Sequence, residues 1–142
     1  MRMESVVEID RKLRELARRT AETDYEVCVW LRRGFLESVH EVGGFASFTD
    51  YVEHVLELTP RQTLERLRVA EALEGLPELN ERFARGDVSW SKVRELTRVT
   101  TVESEVTWLE ATEGRTARER REERVVVHRA AAALHRHTAS LR

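Results

Sequence analysis

The residues with the clearest potential for chemistry are arginines in the stretch LTPRQTLERLRVAEALEGLP, residues 58–77. Guanidinium groups bind phosphates and the edges of bases, so a helix that carries arginines is typical of proteins that contact nucleic acid. At about 100° per residue, Arg61, Glu65 and Arg68 share one helix face. Glu65 is also close enough in sequence to pair with both arginines. The spacing therefore fits either a DNA contact or a solvated face with local ion pairs, and periodicity alone favours the solvated face.

A second group of polar side chains lies in GDVSWSKVRELTRV, residues 86–99. Ser91, Arg94 and Arg98 share one face of a predicted helix, and Lys92 flanks them. The start of a helix binds phosphate because its first backbone amides are free, and serine and lysine strengthen such a site. For each of these residues taken singly, a solvated face is the simpler interpretation.

The third candidate is the basic C-terminal stretch. Residues 115–142 carry eight basic and three acidic side chains, although the whole chain has a net charge of -2. Arginines near the start of a helix oppose the helix dipole, so local helix stability does not explain them. Phosphate contact and a plain charged surface are equally good interpretations. The predicted DNA contacts of the chain are Arg61, Gln62, Arg68, Ser91, Lys92, Arg94, Arg98, Arg118 and Arg121.

Residues for catalysis or metal binding form no recognisable pattern. The single cysteine, Cys28, lies between two valines and is predicted to be a buried, inert thiol. His128 and His135 share a helix face, with His137 nearby, but no carboxylate follows at ligand spacing, so a metal site is a minor alternative. The sequence contains no glycine-rich phosphate loop and no nucleophile elbow. We therefore predict no catalytic residue, no bound metal and no cofactor.

The elements that must position these side chains are all predicted to be helices. Glycines mark the helix ends, and side-chain oxygens or prolines mark the starts. The ends are Gly43 with Gly44, Gly75, Gly86 and Gly114; the starts are Ser47, Thr59 with Pro60, Pro77, Ser89, residues 100–103 and residues 116–119. The pattern predicts an all-α, single-domain bundle of about eight helices, with 24–42 able to continue the first. Long helices occupy 1–43, a helix-turn-helix-like core 44–114 and a basic helix 115–142.

Two predicted helices, 48–57 and 60–74, have the spacing of a helix-turn-helix. In that motif the second helix enters the major groove, and its early side chains reach base edges. Arg66 falls among the apolar positions of the second helix, so it needs an acidic partner or a path to water.

Apolar side chains at helical spacing predict the packing faces. Trp30, Trp90 and Trp108 are predicted core residues. A second stripe, Val102, Val106 and Leu109, lines one side of 102–113. A third, Val6, Ile9, Leu13 and Leu16, is spaced like a short coiled-coil seam that Thr20 and Thr23 end. Packing of this third stripe on the other helices is favoured over homodimerisation.

Charge and hydropathy predict the cellular compartment of the protein. The start MRMESVVEIDRKL has charges where a signal peptide needs an apolar core, and no uncharged run is long enough to span a membrane. We expect a cytoplasmic protein without membrane contact. The slightly acidic net charge gives no global argument for nucleic-acid binding and favours the alternative, a protein–protein interaction module.

Several motifs together resemble a bacterial family. The motifs are GFASFTDYV, LTPRQTLERLRVAEAL, GDVSWSKVRELTRV and WLEATEGRT, within residues 44–125. This part of the chain resembles the helical region that precedes the nuclease domain of bacterial HNH-endonuclease proteins. The resemblance implies a helical module placed upstream of a metal-dependent nuclease. The catalytic histidines and asparagine of that nuclease have no counterpart here, so we expect no enzyme activity from this chain, which is either a fragment or a relative without the catalytic part.

A weaker similarity points to the same function. The segments LPE at 76–78 and GDVS at 86–89 are similar to a step that follows the helix-turn-helix in ParB-type partition proteins. By analogy only, this similarity supports DNA contacts by Arg61, Gln62 and Arg68. The sequence therefore predicts a DNA-binding helical module, and a homodimer or another protein partner is the alternative.

Overall fold

A computed structural model describes residues 2–112, and all regular elements in this part of the chain are helices. The all-α prediction is confirmed. The helices are α1 Met3–Leu36, α2 Val39–Val42, α3 Phe48–Leu56, α4 Pro60–Glu74, α5 Pro77–Ala84, α6 Trp90–Val99 and α7 Glu105–Thr112. The predicted basic helix at 115–142, with Arg118, Arg121 and the three histidines, lies outside the described residues.

Most helix starts follow the predicted caps. The Ser47 hydroxyl accepts a hydrogen bond from the Asp50 amide, and the Ser89 hydroxyl accepts one from the Lys92 amide. At α4 the full capping box forms, because the Thr59 hydroxyl accepts from the Gln62 amide at 3.2 Å and the Gln62 side chain accepts from the Thr59 amide at 2.9 Å. These starts are confirmed because each depends only on residues within one helical turn.

The C-terminal half of α1 is the central helix segment of the bundle. It packs against α4, α5 and α6, while α3 packs on α4 and α7 on α5. The main core cluster includes Cys28 of α1, Leu73 of α4, Phe83 of α5 and Val93 of α6, all almost fully buried. A smaller cluster, made by Leu31, Phe48 and Val52, joins α1 to α3. By contrast, residues 3–20 of the same helix are all exposed.

The predicted packing of the N-terminal stripe is wrong for the described part of the chain. Val6, Ile9, Leu13 and Leu16 are between 42% and 61% exposed. Buried side chains of α1 begin only at Ala21, so the first half of the helix extends beyond the bundle and is exposed on all its faces.

Trp30 also differs from its prediction, because it is 62% exposed rather than part of the core. Its indole ring lies beneath the guanidinium group of Arg33, at 5.1 Å. Trp90 and Trp108 are half-buried and pack against the main cluster, as predicted. Arg66 has the acidic partner that was one of its two predicted alternatives, because its guanidinium group lies 3.7 Å from the Asp24 carboxylate. The same group also covers the Trp90 ring at 4.3 Å.

The last described helix begins later than its capping pattern predicts. Residues 101–104 form a turn, and α7 starts at Glu105. Within the predicted stripe only Leu109 is buried, whereas Val102 and Val106 are about half exposed. The reason is Glu105, whose buried carboxylate accepts hydrogen bonds from the backbone amides of Glu78 and Leu79 in α5. This bond between helices sets which face of α7 points inward.

Candidate nucleic-acid interface

Helices α4 and α6 lie side by side, and Arg68 connects them. Its guanidinium group donates to the Glu65 carboxylate at 2.7 Å, to the Thr97 hydroxyl at 3.3 Å and to the Arg94 carbonyl at 3.2 Å. The side chain of Arg68 is therefore held in place by its own chain. An arginine fixed in this way keeps its charge but has fewer donors left for a ligand.

Glu65 receives two arginines. The Arg98 guanidinium group donates to the same carboxylate oxygen as Arg68, at 2.8 Å. The hydrogen bond from Arg68 is the largest cause that lowers the pKa of Glu65, and with Arg98 it brings this pKa to about 2, against a smaller opposing effect of burial. Glu65 is therefore ionised at neutral pH, and one carboxylate neutralises only part of two guanidinium charges.

The remaining arginines of this face have no acidic partner among the described residues. Arg61 is exposed at the start of α4 and forms no ion pair there. Arg94 is half-buried, and its buried Nε atom has no hydrogen-bond partner within residues 2–112. That Nε atom is closed to solvent, so a ligand would have to contact the other guanidinium nitrogens of Arg94. These two arginines are therefore the side chains best prepared to accept a phosphate.

The contacts also give the direction of the two helices. Glu65 of α4 meets Arg98 of α6, and Arg68 meets Arg94, so the helices run antiparallel. Arg61 therefore lies at one end of the strip, and Ser91 and Lys92 at the α6 start lie toward the other end. We call this strip the α4–α6 surface; it comprises Arg61, Glu65, Arg68, Ser91, Lys92, Arg94 and Arg98.

Gln62 has a structural role that limits its chemistry. Its amide oxygen accepts the Thr59 backbone hydrogen bond of the capping box. Recognition of adenine by glutamine needs both the amide oxygen and the amide nitrogen, which is a bidentate contact. While the capping box is intact, Gln62 can contact a ligand only through its amide NH₂ group, which is a hydrogen-bond donor. Its side chain is therefore better suited to a phosphate oxygen than to the edge of a base.

Other candidate chemistry is limited in the described part of the chain. Cys28 is fully buried, as predicted, and burial raises the pKa of its thiol to about 12. No three histidine, cysteine, aspartate or glutamate side chains within residues 2–112 gather into a group able to hold a metal ion. None of the described helices has the length and apolar character needed to cross a bilayer.

Comparisons with protein-family models, with curated protein sequences and with solved structures each find no match to this chain. The resemblance to the helical region of HNH-endonuclease proteins, and the weaker one to ParB-type proteins, therefore stay predictions.

Proposed function

We propose that the protein binds DNA through the α4–α6 surface, mainly by contacts to phosphates. The observation that carries this proposal is the excess of positive charge in one strip. Arg61 and Arg94 lack an acidic partner in the described chain, and Arg68 and Arg98 share one carboxylate. Four arginines of the surface stand against Glu65, Glu71 and Glu95 of the same helices, while Glu74 of α4 pairs with Arg32 of α1.

The local structure at the start of α4 supports the same assignment. Helices α3 and α4 are joined by only three residues, 57–59, which is the connection that a helix-turn-helix uses. Pro60 and the capping box fix the start of α4, and Arg61 follows at once. The positive end of the helix dipole adds to the charge of Arg61. In this arrangement Arg61 approaches the duplex first, and Arg94 and Arg98 contact phosphates beside it.

The first prediction concerns the two arginines without acidic partners. We expect Arg61→Ala with Arg94→Ala to weaken binding to a random duplex about tenfold or more at low salt. The slope of log affinity against log salt should fall by roughly 0.9 for each phosphate that the variant no longer binds. Fluorescence anisotropy of a labelled duplex, titrated at several salt concentrations, measures both quantities.

The matched control is Arg11→Ala with Arg14→Ala, since both are exposed arginines of α1. This variant removes two arginine charges away from the α4–α6 surface and should bind DNA nearly as well as the wild type. Circular dichroism verifies that all variants remain helical. Unchanged affinity and salt slope in the double variant would exclude the α4–α6 surface as the binding site.

The second prediction concerns Glu65, whose carboxylate lies within the α4–α6 surface. Glu65→Gln removes one negative charge and releases Arg68 and Arg98, so we expect DNA affinity to rise about threefold to tenfold at low salt. The matched control is Glu71→Gln, which makes the same change of charge at an exposed residue of α4 and should give a smaller rise. Affinity that falls in Glu65→Gln would mean that Glu65 positions the arginines for binding.

The same variant has a defined stability profile. Because the pKa of Glu65 is lowered in the fold, its contribution to stability is present above the unfolded pKa of about 4.5 and is lost as pH falls toward 2. We expect Glu65→Gln to lower the free energy of unfolding at pH 7 by about 1 kcal/mol, and this difference to shrink as the pH falls below about 4. Denaturant unfolding at each pH gives the comparison.

A further inference from the structure

The exposed stripe of α1 is longer than its sequence pattern predicts. Residues at strict spacings of three and four continue past the threonines to Trp30, on a stripe that shifts by about 20° per seven residues around a straight helix. We call this line the α1 seam; it comprises Val6, Ile9, Leu13, Leu16, Thr20, Thr23, Val27 and Trp30. Apart from Val27, which is half-buried against the smaller core cluster between α1 and α3, the seam is open to solvent. From Val6 to Trp30 it covers roughly 36 Å of helix.

The two threonines do not interrupt the apolar character of the seam. The Thr20 hydroxyl donates to the Leu16 carbonyl at 2.8 Å, and the Thr23 hydroxyl donates to the Arg19 carbonyl at 3.0 Å. Both hydroxyls are satisfied within the helix, so the threonines can be covered without leaving a buried polar group unpaired. A protein surface that covers the seam would therefore meet methyl groups at these two positions.

The seam also ends beside a second apolar feature. A groove of about 670 Å³ lies between α1 and α3, next to Val27 and Trp30, and its walls include Val42, Val55 and Leu56. Val42 is 92% exposed. An exposed apolar line that continues into an exposed apolar groove is typical of an interaction surface.

We propose that the α1 seam binds the α1 seam of a second copy of this chain, with the two helices antiparallel. This inference does not depend on DNA binding. Side-chain volume selects the direction, because the antiparallel register places a larger side chain against a smaller one in each layer. The layers are Val6 on Trp30, Ile9 on Val27, Leu13 on Thr23 and Leu16 on Thr20, each occurring twice by symmetry. A parallel pair would place tryptophan on tryptophan and threonine on threonine.

Charges beside the seam are compatible with this register. Lys12 of one copy, which also lies 3.4 Å from Glu15 of its own chain, faces Glu26 of the other, and the two-fold axis repeats the pair. Asp10 comes near Asp24, but each carboxylate already has an arginine of its own chain, Arg14 at 2.9 Å and Arg66 at 3.7 Å.

Arg19 of one copy faces Arg19 of the other near the two-fold axis, where the two positive charges would repel each other. Its guanidinium group is paired with Glu15 of the same helix at 3.1 Å, which reduces that repulsion. The antiparallel arrangement therefore gains the attractive pair of Lys12 and Glu26, and its like charges have partners within each chain.

Sedimentation of the full chain tests the association. We expect a dimer of twice 16.6 kDa for the wild type. Leu13→Glu with Leu16→Glu should weaken dimerisation at least about 100-fold without loss of helicity, because both side chains are exposed within one copy. The matched control is Val7→Glu, an exposed valine of the same helix that lies off the seam, and it should leave the dimer intact.

Disulfide cross-linking tests the register. A mixture of Leu13→Cys and Thr23→Cys should form a cross-linked pair, and neither variant should cross-link alone; the buried Cys28 does not interfere. Efficient self-linking of each single variant would show a parallel pair and overturn the proposal. A wild type that stays monomeric at all concentrations would also overturn it. In that case, a loss of stability in the Leu13 and Leu16 variant would mean that residues 113–142 of the same chain cover the seam. Unchanged stability would mean that a different protein partner covers it.

Discussion

Replacement of Gly86 by alanine is expected to lower the free energy of unfolding by about 3 kcal/mol, because two separate costs combine at this residue. The backbone of Gly86 has a φ of +79°, a conformation that side chains disfavour. A Cβ atom added there would also lie 2.6 Å from the Arg18 carbonyl oxygen of α1. That neighbour is backbone, so the contact is relieved only if α1 and the turn after α5 move apart.

The contact between Gly86 and Arg18 matters because it lies at the point where α1 begins to extend beyond the bundle. Arg18 donates to the Arg85 carbonyl at 3.4 Å and pairs with Asp87 at 3.0 Å, so the turn holds α1 from both sides of Gly86. Ala21, one turn later, is already buried. A shift of α1 at Arg18 would therefore loosen its packing against α5 as well as these exposed polar contacts.

Gly44→Ala separates the two costs. Gly44 has a φ of +76°, almost the same as Gly86, but a Cβ atom added there would meet nothing within 4 Å. We expect Gly44→Ala to cost only about 1 kcal/mol, from backbone strain alone. Chemical denaturation of both variants measures the difference. Equal losses in the two variants would mean that the approach of α1 is not what requires glycine at Gly86.

The sequence predicts those features of the fold that depend on neighbouring residues. The caps at Ser47, Thr59 and Ser89 are correct because donor and acceptor lie within one turn of helix. Within the site, the pair of Glu65 and Arg68 follows from their separation by three residues. Such contacts form in almost any tertiary arrangement, so their prediction needs no knowledge of the packing.

Features that depend on distant residues could not be predicted in the same way. Arg98 reaches Glu65 only because α4 and α6 pack side by side, and no spacing along the chain indicates that contact. Trp30 is exposed because the bundle uses another face of α1, which the composition of α1 alone does not reveal. The end of α3 also lacks a glycine, since Glu57 adopts the left-handed conformation with a φ of 57°.

Glu105 is the clearest residue that the sequence pattern did not single out, and its removal should have a large effect. Helix α5 begins after Leu76, which has no side-chain oxygen to serve as a cap, and Pro77 has no amide hydrogen. The next two amides, of Glu78 and Leu79, donate to the Glu105 carboxylate at 3.2 and 3.0 Å. Glu105 therefore caps α5 from another helix, with its negative charge at the positive end of the α5 dipole.

We expect Glu105→Ala to lower the free energy of unfolding by about 3 kcal/mol, because two backbone amides at the α5 start lose a charged acceptor together. Glu105→Gln keeps one acceptor oxygen and should cost about half as much. Glu103→Ala removes an exposed glutamate two residues earlier and is the matched control, with an expected change within about 0.5 kcal/mol.

Hydrogen exchange measured by NMR makes the Glu105 test specific to the cap. If Glu105 caps α5, the Leu79 amide should exchange much faster in Glu105→Ala than amides in the middle of α4, because its acceptor is gone while α4 is intact. A variant that loses stability with the same protection pattern as the wild type would indicate that Glu105 acts through packing of α7 alone. Reduced stability combined with local exposure of the α5 start would show that a carboxylate of α7 supplies the cap that the sequence of α5 lacks.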